Sequence, residues 1–168
     1  MKTILKTTLF LAVMVACAVA APAQNAKNEE KAAAIKQLVD AQNYVFIAQT
    51  ALPMSGRVRQ LTGEMYDLTV TKTSVNAYLP YFGQAYTAPI DPSQGGIKFK
   101  TDSFSYTVML RKKGGWDISI KPNGVADIQQ LSLTISSLGY ASLQVISGSK
   151  QAISYNGYID AIPEKKKP

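Results

Sequence analysis

Carboxylates are the side chains in this sequence best equipped for acid–base chemistry, because histidine is absent and cysteine nearly so. There is no histidine, and the one cysteine is Cys17, near the start of the chain. Serine–histidine and cysteine–histidine nucleophile systems are therefore excluded. Zinc sites built on histidine or cysteine go with them. Gly95-Gly96 precedes a strand-like segment rather than a helix start, so it does not make a phosphate-binding loop. Glu64, Asp67, Asp91, Asp102, Asp117 and Asp127 remain as candidates. A glycoside hydrolase needs two such groups facing each other across its substrate. The sequence brings no pair together. Asp67 and Asp117 fall on outward strand positions, and Asp91-Pro92 and Asp102-Ser103 read as turns whose side chains hold backbone. No catalytic residue, metal site or cofactor is assigned.

Aromatic side chains offer binding chemistry instead. Residues 78–99, YLPYFGQAYTAPIDPSQGGIKF, interrupt a strand-rich chain with aromatics, prolines and glycines. A long connection of this kind is either functional or packed on itself. Tyr81, Phe82 and Tyr86, with Asp91 beside them, are the ligand-binding candidates, since aromatic rings stack on sugars or apolar ligands and keep a polar edge. The competing reading, that these rings hold the connection against a sheet, is the stronger one. Tyr106, Trp116 and Tyr155 are assigned to the core.

The elements that would position these residues follow from periodicity. Residues 24–43 begin polar and become helical, with Ile35, Leu38, Val39 and Gln42 on one face. From Tyr44 the period changes. Tyr44-Val45-Phe46-Ile47-Ala48 is apolar on both faces, as in a covered strand. Alternation then marks strands around Tyr66-Leu68-Val70, Val75-Ala77-Leu79, Phe104-Tyr106-Val108-Leu110, Trp116-Ile118-Ile120, Leu131-Leu133-Ile135, Leu143-Val145 and Ile153-Tyr155. Gly114-Gly115 turns the clearest hairpin. The expected fold is α+β and mainly β: an N-terminal helix on a curved antiparallel sheet or partly closed barrel of about eight strands.

The chain's ends suggest its route. Lys2 and Lys6, the apolar run at residues 9–16, and Ala21-Pro22-Ala23 have the layout of a signal peptide over residues 1–23. Cleavage after Ala23 leaves 145 of the 168 residues. Residues 24–162 form the expected single domain, and 163–168 a basic tail. Met14-Val15-Ala16-Cys17 is a poor lipidation motif, so acylation of Cys17 is the minor alternative. No later stretch approaches the roughly 20 apolar residues of a spanning helix. Removing Lys2 and Lys6 lowers the formal charge from +7 to +5, and Lys165, Lys166 and Lys167 supply three of those charges. The near-neutral body argues against a nucleic-acid partner.

Three segments together carry a resemblance: Tyr78-Leu79-Pro80-Tyr81-Phe82-Gly83-Gln84-Ala85-Tyr86, Gly95-Gly96-Ile97-Lys98-Phe99 and Tyr155-Asn156-Gly157-Tyr158-Ile159. With these the chain resembles a family of small exported Bacteroidota proteins of unknown function. The resemblance implies an exported β-rich domain, often lipid-anchored, and carries over no activity, cofactor or catalytic residue. The preferred expectation is a periplasmic or cell-surface binding or accessory domain, for a small apolar or glycan ligand or an envelope protein. A carboxylate-dependent glycan hydrolase and a purely structural module are the competing expectations.

Overall fold

The segment of helical period does form a helix, α1, spanning Ala20–Asp40. The computed structural model describes residues 20–63, 65–86, 96–125 and 127–163, with side chains from residue 26 onward. Two compact units are distinguished, one ending at Ala34 and the other Ile35–Pro168. In the first, side chains 26–34 are largely exposed. In the second, Ile35 and Val39 are buried in the core and Leu38 is packed against it, the i, i+3, i+4 stripe of an amphipathic turn. Gln42 departs from the expected face. It lies past the helix end at φ 49° and donates from Nε2 to the Thr71 carbonyl at 3.3 Å. Asn43 N donates to Leu38 O at 3.1 Å, so the chain leaves the helix through a left-handed cap.

Ten antiparallel strands follow among the described residues: β1 (Tyr44–Pro53), β2 (Arg59–Gln60), β3 (Asp67–Val70), β4 (Val75–Leu79), β5 (Ile97–Thr101), β6 (Phe104–Leu110), β7 (Trp116–Pro122), β8 (Ile128–Ile135), β9 (Tyr140–Ser147) and β10 (Ile153–Asp160). Seven coincide with the alternating segments of the sequence, and β1 with the run that is apolar on both faces. The two additions are β2, a two-residue exposed strand, and β5, which begins inside what reads in sequence as the close of the long connection. The order is β5-β4-β3-β1-β10-β9-β8-β7-β6, with β2 beside β1. Most neighbours are consecutive hairpins. The β1–β10 pair joins the chain's first strand to its last, and it places the two hairpin runs side by side.

The sheet is nearly closed. Its end strands, β5 and β6, are connected only through residues 102–103, and the corner is fixed by the Thr101 hydroxyl, which donates to Ser103 O at 3.0 Å. Asn123 N donates to the same carbonyl at 2.8 Å. The inner face carries Tyr44, Phe46, Leu68, Leu79, Ile120, Leu131, Leu133, Leu143 and Tyr155, each at most 1% exposed. Tyr106 reaches this core, where its hydroxyl meets that of Tyr44 at 3.1 Å, and burial pushes the Tyr44 phenol far above its ordinary pKa.

One expected inward set fails at its end. Phe104 and Tyr106 are partly buried against the core, yet Val108 is 41% and Leu110 81% exposed. The reason is position: among the described residues β6 is an end strand, paired with β7 alone. No described helix is long and apolar enough to cross a membrane.

Candidate functional site

The described start of the long connection, residues 80–86, is held by hydrogen bonds within itself and to Ser149, Gln151 and Tyr155. The Tyr81 hydroxyl lies 2.8 Å from Gln84 O and 3.0 Å from Gln151 O. Partial burial raises its pKa, against the lowering effect of the Gln151 contact. Tyr86 N donates to Ser149 O at 2.7 Å, and Gln151 N to Gln84 O at 3.0 Å. From the sheet, the Tyr155 hydroxyl donates to Pro80 O at 2.6 Å. Phe82 lies beneath the Arg59 guanidinium, 5.0 Å from ring centroid to carbon, and the Tyr86 ring is 71% exposed. Asp91, Glu64 and Cys17 lie outside the described residues.

The turn that receives the connection is organised by Asp127. Its carboxylate accepts from Ser147 Oγ at 2.8 Å and from Ser149 Oγ, and it pairs with Lys150 Nζ at 3.2 Å. Partial burial works to raise this carboxyl's pKa. The serine hydrogen bonds, the Lys150 bond and the lysine's charge outweigh it, so Asp127 titrates below the ordinary aspartate value. Asp127 is thus a structural anchor. Asp67 accepts from Thr69 at 2.9 Å, and Asp117 accepts from Thr134 at 2.8 Å. No two described carboxylates line one described cavity.

Two hollows border the connection. One, of about 290 Å³, is lined by Tyr66, Tyr78, Leu79, Pro80, Tyr81, Gly96 and Lys98. Tyr66 and Tyr78 stack at 5.6 Å, and Lys98 Nζ sits 4.8 Å from the Tyr78 ring centroid. The other, about 510 Å³, runs from Phe99 and Val125 to the Asp127–Lys150 pair. Of the aromatic candidates Tyr81, Phe82 and Tyr86, Tyr81 alone lines either hollow.

A third cavity lies elsewhere, on the outer face of the sheet. Strand alternation that buries Leu133, Leu143 and Tyr155 turns their neighbours outward. Register then aligns those neighbours across six strands. Gln60 stands opposite Thr50, Thr50 opposite Asn156, Asn156 opposite Ser142, Ser142 opposite Thr134, and Thr134 opposite Asp117. Directly opposed side chains of this kind lie about 5 Å apart at Cβ. All of them except Asp117 line a cavity of about 570 Å³, together with Gln49, Arg111, Ser136 and Tyr140.

Local irregularities shape this trough. A register shift between Ala48 and Thr50 bulges β1 at Gln49. Opposite it, a Cβ on Gly157 would overlap the Ile47 carbonyl oxygen, so only glycine lets β10 approach β1 so closely. At the far end Asp117 binds both Thr134 and Arg111, the latter through an Nε–Oδ2 contact of 3.5 Å. Tyr140, 66% exposed, supplies an aromatic wall.

Nothing in the sequence singles out the trough. Its residues stand there only as the outward, unremarkable half of each strand, since register decides which of them meet.

A domain model of unknown function, DUF4251, matches residues 26–159. The chain belongs to the DUF4251 family. A crystal structure of a DUF4251 family protein from Bacteroides eggerthii is similar in fold, with a TM-score of 0.57 at 15% identity. The match covers 78% of this chain and 87% of that one. No curated protein matches. The resemblance drawn from residues 78–99 and 155–159 is therefore to the right family. DUF4251 membership itself attaches no activity to the trough or to the hollows beside Tyr81.

Proposed function

We propose that the protein is an exported, non-catalytic envelope domain that binds a hydroxyl-rich ligand, a glycan, in the outer trough. The observation that carries this reading is the transverse row Gln60–Thr50–Asn156–Ser142–Thr134 lining one cavity with Tyr140 and Arg111. Hydroxyls and primary amides both donate and accept, which matches the alternating needs of sugar hydroxyls. Tyr140 offers a face for a pyranose ring, and Arg111 favours a ligand with a carboxylate or sulfate. No described carboxylate lines the trough, so the acid–base pair of a glycosidase has no counterpart there.

Binding assays with neutral and acidic oligosaccharides test the proposal. Tyr140→Ala and Asn156→Ala are expected to weaken binding by about tenfold each, of the order of one lost contact, while leaving the unfolding midpoint nearly unchanged. Retention of full affinity in both variants refutes the trough as the site. A second reading places a small ligand beside Tyr81, favoured by the stacked Tyr66–Tyr78 pair and Lys98. In that case Lys98→Ala, not Tyr140→Ala, reduces affinity. Export is tested separately by mass spectrometry of the mature N-terminus: Gln24 supports a soluble exported form, and an acylated Cys17 replaces it with an anchored one.

A further inference from the structure

The exposed end of β6 is the least explained part of the sheet. Its ladder to β7 places Leu110 opposite Trp116 and Val108 opposite Ile118, both of which are buried. Leu110 and Val108 are themselves exposed, at 81% and 41%, and Met109 on the other face is 62% exposed. Among the described residues, β6 has no strand on its second side. No residue from Phe104 to Leu110 is charged. An uncharged apolar edge of this length lacks the common protection against pairing with another chain.

We propose that β6 pairs antiparallel with β6 of a second copy of this chain, on a two-fold axis at Thr107. The register comes from the sequence of the strand and its flanks. With Thr107 opposite itself, Leu110 meets Phe104 of the second copy and Val108 meets its Tyr106, so the apolar faces coincide. Met109 meets Ser105. Just beyond the ladder, Lys112 comes opposite Asp102 of the second copy, twice by symmetry. All four of these flanking side chains are exposed. A slip of one residue sets the apolar face against the polar one. Centring on Tyr106 opposes Lys112 to Lys100, and centring on Val108 opposes Lys112 to Phe104. Only the Thr107 axis joins apolar match to charge match. A two-fold, self-complementary contact of this kind closes after two copies.

Sedimentation analysis and site-directed cross-linking test this. The wild-type chain is expected to form dimers at micromolar concentration. Leu110→Lys is expected to shift it to monomer with the fold retained by circular dichroism. Lys112→Asp and Asp102→Lys each weaken the dimer by about tenfold, in line with loss of an opposed charge, and the double exchange restores it. In a Cys17→Ser background, Thr107→Cys crosses the axis. Paired Cα atoms there are about 4.5–5.5 Å apart, within disulfide reach. It is expected to oxidise to a covalent dimer, whereas Ser105→Cys, which faces Met109 of the second copy, is not. A wild-type monomer at 100-fold higher concentration (of order 100 μM against micromolar) overturns the proposal. So does equal cross-linking at both positions, which also remains readable if Leu110→Lys fails to fold.

Discussion

Asp127 shows how a residue of catalytic type becomes structural in space. It is one of the six carboxylates that the sequence offers as catalytic candidates, but its oxygens are committed to Ser147, Ser149 and Lys150. Its folded pKa is depressed, so the stability it contributes is fully present above the unfolded value of 3.8 and is lost as pH falls through the lower folded value. Asp127→Asn is therefore expected to lower the thermal midpoint at neutral pH. It should also flatten the midpoint's decline below pH 3.8, as checked by thermal unfolding across an acid series. Tyr155 makes a different test at the same scale. Its buried hydroxyl holds Pro80 O, and burial raises its pKa far above the ordinary phenol. Tyr155→Phe leaves that carbonyl without its donor and is expected to cost about 1–2 kcal/mol in denaturant unfolding. The sequence could name Tyr155 as core. It could not name Pro80 as its partner, because 75 residues separate them.

Among the elements, strand identity is the most legible property and pairing the least. Alternation locates seven strands because burial on one face imposes a period of two, and β1 is read from a run that is apolar on both faces. It passes over β2 because two exposed residues have no period, and it absorbs β5 into the connection because punctuation on one side blurs the strand's start. It also expects β6 to bury its apolar set, which an end strand cannot do along its whole length. The β1–β10 contact depends on a detail of one residue. A Cβ at Gly157 would overlap Ile47 O, in the pair that joins the first strand to the last. Gly157→Ala is expected to destabilise the protein by roughly 2–4 kcal/mol, through strain in a packed sheet rather than lost contact. Equilibrium unfolding of the variant checks this, and a change below about 0.5 kcal/mol would show that β1 yields without cost.

At the scale of the whole molecule, the candidate site lies on the outer face of the sheet rather than where the sequence is unusual. Residues 78–99 attract notice because aromatics and prolines break a pattern, yet Tyr81 and the backbone around it are engaged in holding residues 80–86 to the 147–151 turn and to Tyr155. The trough draws on ordinary serine, threonine, asparagine and glutamine residues from five strands. They become a site only when register puts them in one row. Such a site is invisible to a reading of one strand at a time, since each outward polar residue is what any solvated face would carry. The direct measurement is a titration of the isotope-labelled protein with neutral and acidic oligosaccharides, followed by amide chemical shifts. The trough account predicts saturable shifts clustered at Thr50, Thr134, Tyr140, Ser142 and Asn156. Shifts confined to Tyr66, Tyr78 and Lys98, or none at millimolar ligand, which corresponds to about 4 kcal/mol of binding free energy, would contradict it.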